Sequence, residues 1–163
     1  MPGIRIQPAT SADRQTILNL MQLYVYDMGE FVNVRLHAEG LFELDDSIEL
    51  YWVEPTRYPF VIWADDQLAG FALVRVVADG TFSVAEFFIR RGFRRSGVGA
   101  EAAVKLFDRF RGTWKVAQLE RNAPAQAFWR RVIGQYTSGR FSEEWSPSSP
   151  KGPMQVFSNV EQA

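Results

Sequence analysis

The chain of 163 residues contains no cysteine. This absence excludes disulfide bonds, thiolate metal ligands and cysteine nucleophiles, and it fits a reducing compartment. Only one histidine is present, His37, and no second ligand stands at metal-binding spacing from it. We therefore expect His37 to be a surface or packing residue, and we expect no metal site.

Long hydrophobic runs and strong net charge are also missing. No stretch approaches the roughly 20 apolar residues of a membrane-spanning helix, and the N-terminus lacks the apolar run of a signal peptide. The formal net charge is −1, so the overall balance favours neither nucleic acid nor an anionic membrane. We expect a cytoplasmic protein without nucleic-acid or membrane partners, either a monomer or a homodimer.

The composition is that of a folded protein. The chain is 47% hydrophobic and 23% charged, and its aromatic share of 14% includes five tryptophans and thirteen phenylalanines. Such a share predicts a well-filled core or an aromatic-lined pocket. The length predicts a single domain over residues 1–163, with a core at about 4–160.

Hydrophobic periodicity and turn residues predict an alternation of strands and helices. We predict strands at residues 4–6, 60–63, 68–77, 81–89 and 114–119, with a final hairpin formed by 136–141 and 154–160. We predict helices at 12–28, 97–111 and 123–133, with a short helix at 47–52. Ser11 and Asn122 are the expected N-caps, Gly112 is the expected C′ residue, and the strand at 114–119 should lie parallel to the strand at 81–89.

The strand at 81–89 carries an acidic residue, Glu86. Strict alternation places Glu86 on one face with Phe82, Val84 and Phe88. Burial among apolar side chains raises the pKa of a carboxyl group, and a raised pKa suits a general base that works near neutral pH. A solvated glutamate, or one paired with an arginine, is the alternative.

Directly after this strand, the sequence Arg94-x-x-Gly97-x-Gly99 leads into the helix at 97–111. The first amides of a helix have no intrahelical partners and favour an anion such as a pyrophosphate. Arg94 and Arg95 can add charge-assisted hydrogen bonds. The spacing is neither the Walker pattern nor Gly-x-Gly-x-x-Gly.

This segment resembles the acyl-CoA-binding core of the GNAT superfamily of N-acetyltransferases. That core has a strand, then Arg/Gln-x-x-Gly-x-Gly/Ala, then a helix, and Arg94, Gly97 and Gly99 match it in register. A second signature, a strand followed by Asn-x-x-Ala and an aromatic pair, has its counterpart in Asn122, Ala125, Phe128 and Trp129. The order of elements over about 4–160 fits as well.

The resemblance implies a mixed α/β fold, with a mostly antiparallel sheet of six to seven strands flanked by about four helices. It also implies an acetyl-CoA-dependent N-acetyltransferase that acts without a metal. The acetyl group would pass directly, in a ternary complex, to a primary amine on a small molecule or peptide. A CoA-binding module without catalysis is the alternative from a different class, and a protein that binds another nucleotide is a third.

Site residues follow from the same resemblance. The amides of the turn would bind the CoA pyrophosphate, which assigns Arg94, Arg95, Ser96, Gly97, Val98, Gly99 and Ala100. The pantetheine arm would run between the strands at 81–89 and 114–119, along the main chain of Phe88 and Ile89. Asn122 would contact it, Phe128 and Trp129 would pack against the cofactor or the core, and Glu86 would be the base that deprotonates the amine.

One position departs from the pattern. Many members have a tyrosine where this chain has Trp129, and that tyrosine protonates the leaving thiolate. An indole N–H cannot serve as that acid, so either another hydroxyl does, or water or the substrate ammonium protonates the thiolate. Tyr136 is the nearest candidate in sequence, Tyr24 and Tyr26 are others, and core packing is the alternative role for each.

The resemblance places acceptor specificity in residues 30–58 and 136–153. The first of these segments is acidic through Glu30, Glu39, Glu43, Asp45, Asp46, Glu49 and Glu54. Such acidity suits a cationic amine, or it forms a solvated face.

Overall fold

The computed structural model describes residues 2–148 and 150–161. Its centre is a seven-stranded sheet in the order β1-β2-β3-β4-β5-β7-β6. The strands are β1 Ile4–Pro8, β2 Arg57–Ala64, β3 Gln67–Ala78, β4 Thr81–Ile89, β5 Thr113–Ala117, β6 Ser142–Ser146 and β7 Gly152–Ser158. The β4–β5 pair is parallel and the other pairs are antiparallel, which confirms the predicted mixed, mostly antiparallel sheet.

Helices cover both faces of the sheet. The α-helices are α1 Arg14–Met28, α2 Val98–Arg109 and α3 Ala123–Thr137, and short 3₁₀ helices occupy Ser11–Asp13, Asp46–Trp52 and Arg91–Phe93. The short helix predicted at 47–52 is confirmed as the longest of the 3₁₀ helices. Among the described residues, no helix has the length and apolar character needed to cross a membrane.

Two predicted caps are wrong. Thr10, not Ser11, caps the first helical segment, because its side chain accepts from the Ala12 amide while Asp13 accepts from the Thr10 amide at 2.9 Å. Gly112 is not a left-handed C′ residue, since α2 ends at Arg109 and its C-cap, Phe110, is extended. A Cβ at Gly112 would overlap the Gly80 carbonyl, so glycine serves a close backbone approach there.

The end of α3 lies one turn later than predicted. The helix continues to Thr137 and stops where Ser138 and Gly139 adopt left-handed conformations, with φ of 53° and 80°. Tyr136 therefore lies on the helix, and the predicted strand at 136–141 is wrong. The final hairpin is formed by β6 and β7 instead.

The sheet separates two apolar cores. On one face, α2 and α3 pack against the sheet around Phe107 and Trp114, which are fully buried. On the other face, α1 and the 3₁₀ helix Asp46–Trp52 pack around Ile17 and Phe71. Each such buried side chain contributes about 1.5–3 kcal/mol to stability, so both layers hold the sheet in place.

A β-bulge in β4 changes the face on which Glu86 lies. Glu86 pairs with Leu73, but the next pair joins Val84 to Val74, and Ala85 is the extra residue. As a result Val84 packs in the α2–α3 core, whereas Phe88 packs in the α1 core. The predicted common face for Phe82, Val84, Glu86 and Phe88 is therefore wrong, because a bulge interrupts the two-residue period.

We expect Gly70→Ala to destabilise the protein. Gly70 pairs with Ile89, and a Cβ there would overlap the Phe88 carbonyl oxygen. The strand end would have to move, at a cost of about 1–3 kcal/mol, which a fall in the thermal midpoint would report. The matched control is Gly134→Ala in α3, where the nearest atom is 3.7 Å away and helix propensity favours alanine by up to about 1 kcal/mol. Equal midpoints for the two variants would contradict this account.

Candidate functional site

The site lies where β4 and β5 part. Their parallel pairing runs only from Thr81↔Thr113 to Ser83↔Lys115, and β4 then continues to Ile89 without β5 beside it. Two cavities of about 420 and 540 Å³ lie along this opening, within the usual size range of small-molecule sites. The two strands therefore diverge after Ser83 and leave a cleft between them.

We name the cavities by their charged walls. The arginine cavity is the larger and is lined by Arg91, Arg94, Arg95 and Arg131. The carboxylate cavity is the smaller and is lined by Asp45 and Glu86. Among the described residues, those that line both cavities are Tyr24, Met28, Phe87, Asn122, Ala125 and Trp129. The two cavities therefore adjoin along a common wall.

The loop before α2 is shaped to bind an anion. Arg95 and Gly97 both adopt left-handed conformations, with φ of 60° and 84°, and such turns aim successive amides into a concave surface. The first hydrogen bond of the helix runs from the Glu101 amide to the Gly97 carbonyl at 3.0 Å, so the amides of residues 98–100 have no acceptor within the helix. Together with the four arginines, these amides fit a pyrophosphate.

Most of the predicted cofactor-binding residues meet at the arginine cavity. It is lined by Phe88, Ile89, Arg94, Arg95, Gly97, Gly99, Ala100, Asn122, Phe128 and Trp129. Ser96 and Val98 do not line it. The Ser96 hydroxyl donates to the Phe93 carbonyl at 2.6 Å, and the Val98 side chain is fully buried in the core. For these two residues, only a role through the backbone amide remains.

Arg94 is held by protein groups. Its Nε donates to the Ile89 carbonyl at 2.7 Å, and its terminal nitrogen forms an ion pair with Asp27 on α1, which also pairs with Arg91 at 2.8 Å. Partial burial raises the pKa of Asp27, but the hydrogen bonds from Arg94 and Arg91 outweigh this and leave the pKa below its ordinary value. Asp27 thus remains an anion that fixes the loop to α1, and the sequence analysis missed it.

Aromatic side chains form the wall between the cavities. Phe87 stacks on Phe128 with 6.0 Å between centroids and meets Trp129 edge-on at 5.0 Å. Trp129 is largely buried, and its ring packs against Phe107, which is also buried. Gly99 lies against this wall, because a Cβ there would be 3.2 Å from the Phe128 ring. Phe87 was not among the predicted site residues.

Asn122 is confirmed as the N-cap of α3. Its Oδ1 accepts from the Ala125 amide at 3.1 Å, and its Nδ2 lies 3.9 Å from the Met28 sulfur. The cap occupies the oxygen, so the amide nitrogen is the group that a ligand could still engage.

Glu86 is half-buried in the wall of the carboxylate cavity and accepts a hydrogen bond from the Tyr24 hydroxyl. The pKa of Glu86 is raised to about 7, chiefly by burial; the hydrogen bond from Tyr24 opposes this rise and the nearby charge of Asp45 adds to it. The carboxyl group therefore titrates near neutrality, as expected for a general base.

The three candidate tyrosines occupy different places. Tyr24 borders both cavities, and burial, the charge of Glu86 and their hydrogen bond raise its pKa well above 10. Tyr26 is 65% exposed on the outer side of α1. Tyr136 lines neither cavity, and its hydroxyl donates to Asp108 at 2.8 Å and accepts from Asn159 at 3.3 Å. The structure does not bring Tyr136, the predicted catalytic acid, to the site.

Few of the predicted acidic residues reach the cavities. Asp45 and Glu30 line them, whereas Glu49 pairs with Arg14 and Glu54 with Arg57 at the surface. His37 lies in a turn outside the cavities. Within residues 2–148 and 150–161, no cluster of three potential metal ligands occurs.

A sheet that opens beside an anion-binding helix start, with a carboxyl group that titrates near neutrality farther along the cleft, is an arrangement suited to an acyl-CoA-dependent acyltransferase. The model of the acetyltransferase (GNAT) family matches residues 20–134. The chain therefore belongs to the GNAT family.

Solved structures share the fold. An acetyltransferase from Thermus thermophilus has a TM-score of 0.68 at 16% identity, over 97% of this chain and 99% of that one. The aminoglycoside acetyltransferase AAC(6')-Ib in complex with coenzyme A has a TM-score of 0.66 at 14% identity, over 96% and 95%. The ribosomal-protein-S18-alanine N-acetyltransferase from Escherichia coli has a TM-score of 0.63 at 16% identity, over 99% and 97%. No curated protein sequence matches the chain.

The raised pKa of Glu86 predicts a pH-dependent gain in stability for Glu86→Gln. The folded protein holds the proton of Glu86 up to a pH of about 7, whereas the unfolded chain releases it near pH 4.3. The higher pKa in the folded state means that protonated Glu86 contributes to the stability of wild type. This contribution is fully present at pH values below the unfolded pKa, and it is lost as the pH rises through the folded pKa. Glutamine does not titrate, so the variant avoids this loss, and its side-chain oxygen can still accept a hydrogen bond from Tyr24. We therefore expect the free energy of unfolding of the variant, relative to that of wild type, to increase by about 2–3 kcal/mol between acidic pH and pH about 8.

Urea unfolding at several pH values measures this difference. The control is Glu49→Gln, which removes a surface carboxylate paired with Arg14. The stability of this variant relative to wild type should fall, not rise, as the pH increases, because wild type then gains the ion pair. A pH-independent difference between wild type and Glu86→Gln would show that Glu86 does not titrate near neutrality.

Proposed function

We propose that this protein is an N-acetyltransferase that transfers an acetyl group from acetyl-CoA directly to a primary amine in a ternary complex. The observation that carries the proposal is the junction of the two cavities. An anion-binding loop lies at one end, and a carboxyl group with a pKa of about 7 lies at the other. Family membership supports the acyl transfer, and AAC(6')-Ib crystallised with coenzyme A supports the co-substrate.

CoA would lie along the cleft from the arginine cavity. Its pyrophosphate would accept from the amides of residues 98–100, with Arg95 and Arg131 nearby. The pantetheine arm would follow the free edge of β4 past Ile89 and Phe88, toward Glu86. Because β5 leaves this edge unpaired after Ser83, main-chain groups of β4 can bond to the arm as to an added strand. One of those amides would polarise the thioester carbonyl.

Glu86 would be the general base. A free primary amine has a pKa of about 10 and is mostly protonated at neutral pH, so it must lose a proton before it can attack. Glu86 is ionised above a pH of about 7 and lines the cavity on the far side of the common wall. Asp45 lines the same cavity, and two carboxylates there favour a cationic acceptor.

Trp129 favours one alternative function. The position that carries a tyrosine in many family members holds an indole, which is 94% buried among aromatic rings. A chain with this wall and no proton donor at the sulfur would bind acyl-CoA without turning it over, as a sensor or interaction module. Detection of acetylated product separates the two functions.

We expect Gly99→Glu to abolish CoA binding. The new side chain would collide with Phe128 and place a carboxylate at the start of α2, where an anion should bind. Thermal shift should show stabilisation of wild type by CoA and acetyl-CoA, but not by ATP or NAD, and no CoA stabilisation of the variant. Gly92→Glu is the matched control, because it adds the same charge at an exposed position outside both cavities. If CoA does not stabilise wild type, both functions are contradicted, the N-acetyltransferase and the CoA-binding module without catalysis.

We expect Glu86→Gln to lower kcat by about 10²-fold or more with little change in the affinity for CoA. The wild-type rate should rise with pH through about 7, because the base must be ionised, and the variant should lose this rise. Mass spectrometry of acetylated product from a panel of primary amines identifies the acceptor, and initial rates across pH then give the profile. An unchanged profile in the variant would remove Glu86 from the base role.

A further inference from the structure

We propose that Tyr24 carries the proton that CoA needs as it leaves, passing it from Glu86 to the thiolate. This inference rests on the proposed N-acetyltransferase function. It supplies a proton donor that the sequence pattern does not supply, since Trp129 stands where many related proteins have a tyrosine.

The position of Tyr24 supports this role. Of the six described residues that border both cavities, five carry a thioether, a phenyl ring, an amide, a methyl group and an indole, none of which exchanges a proton near neutral pH. Tyr24 is the sixth, and its hydroxyl donates to Glu86. A thioester that reaches the common wall from the arginine cavity would therefore meet one titratable hydroxyl on that wall.

The ring of Tyr24 is fixed by packing. It meets Phe71 edge-on at 5.7 Å and Phe88 edge-on at 6.0 Å between ring centroids. Phe88 belongs to the free edge of β4 along which the pantetheine arm would run. The packing thus holds the Tyr24 hydroxyl beside the end of the path proposed for the pantetheine arm. Because the side chain already has few rotamers, little conformational entropy is lost when it acts.

The protons balance as follows. The ammonium gives one proton to Glu86, and the neutral amine attacks the thioester carbon, so that a C–N bond forms. The C–S bond then breaks, and the Tyr24 hydroxyl proton moves to sulfur while the Glu86 proton moves to the tyrosine oxygen. The new amide nitrogen releases its extra proton to solvent. Amide, CoA thiol and one solvent proton result, with Glu86 ionised and Tyr24 protonated as at the start.

The relay explains why the tyrosine and the carboxyl group act as a pair. Burial, with the charge and hydrogen bond of Glu86, raises the pKa of Tyr24 well above 10, so Tyr24 alone would be a poor acid toward a thiolate whose thiol has a pKa of about 8.5. Protonated Glu86, with a pKa of about 7, is a stronger acid than that thiol. Transfer through Tyr24 from Glu86 to sulfur is therefore downhill.

Other charges around the pair lie on the neighbouring elements. Asp45 faces Glu86 from the start of the 3₁₀ helix Asp46–Trp52 and raises the pKa of Glu86. Burial raises the pKa of Tyr51 on that helix. The charge of Arg57 on β2 lowers this pKa, the charge of Glu86 raises it and the charge of Arg75 on β3 lowers it. Of these four groups, Asp45 acts on the pKa of Glu86, and none of the four borders both cavities.

The test is Tyr24→Phe, measured with acetyl-CoA and an acceptor that wild type acetylates. We expect kcat to fall by about 10²-fold or more, with acetyl-CoA affinity within about twofold of wild type. The control is Tyr136→Phe, which also removes a hydroxyl bonded to a carboxylate, Asp108, but outside both cavities. Its kcat should equal that of wild type once both proteins are folded by circular dichroism.

The pH profile separates proton transfer from a structural role. The hydrogen bond from Tyr24 lowers the pKa of Glu86, so its removal should shift the rising limb of the profile to higher pH. If Tyr24 only tunes or positions Glu86, the loss will vanish at a pH of about 9, where Glu86 is ionised in both proteins. We expect the loss to persist there, and full recovery of kcat at that pH would overturn the relay.

A second measurement does not depend on turnover. CoA bound to the protein is titrated by the ultraviolet absorbance of its thiolate, with bound desulfo-CoA as the blank that cancels the tyrosines. A hydrogen bond from Tyr24 should favour the thiolate, so the thiol pKa should rise by about one unit in Tyr24→Phe and stay unchanged in Tyr136→Phe. Equal thiol pKa values in wild type and Tyr24→Phe would overturn the inference even if the protein acetylates an amine. A shifted thiol pKa without acetylation of any amine would overturn the proposed function, and the relay with it, and would leave only the hydrogen bond from Tyr24 to sulfur.

Discussion

The parting of β4 from β5 after Ser83 is the constraint on which the site depends. A strand edge without a neighbour leaves N–H and C=O groups that need other partners. Arg94 supplies one of them, since its Nε donates to the Ile89 carbonyl. The remaining edge is open to a ligand that presents amides of its own, and the pantetheine arm of CoA is such a ligand. The two cavities exist because the sheet opens here and the helices on either face do not fill the gap.

The bulge at Ala85 adds a second effect at the same point. A bulged strand bends and re-aims its side chains, and β4 bends two residues after its pairing with β5 ends. Glu86 thereby leaves the face of Val84 and turns toward α1, where Tyr24 is its partner. Without the extra residue, Glu86 would lie on the α2–α3 face with Val84, in an apolar core. The same distortion thus supports both the opening of the cleft and the placement of its carboxyl group.

Local sequence patterns predicted the elements better than their contacts. Alternation and the Asp79-Gly80 turn gave β3 and β4, and the glycine turn with its apolar spacing gave α2, because each signal lies within a few residues. The bulge could not be predicted, since it depends on register with β3. Asp27 could not be predicted either, because the arginines that it binds lie more than 60 residues away. Tyr24 was recognisable from the sequence, because it places a hydroxyl at a core position of an amphipathic helix.

One turn of α1 connects the two ends of the cleft. Tyr24 bonds to Glu86 in the carboxylate cavity, and Asp27 pairs with Arg91 and Arg94 beside the arginine cavity. The rise of an α-helix separates these two positions by only about 4.5 Å along its axis. A rigid helix therefore fixes how far the carboxyl group lies from the anion-binding loop, and neither can shift without straining a contact at the other. For a reaction in which the phosphates of a donor are bound at one end and its thioester must arrive beside a base at the other, this short stretch of α1 sets the alignment.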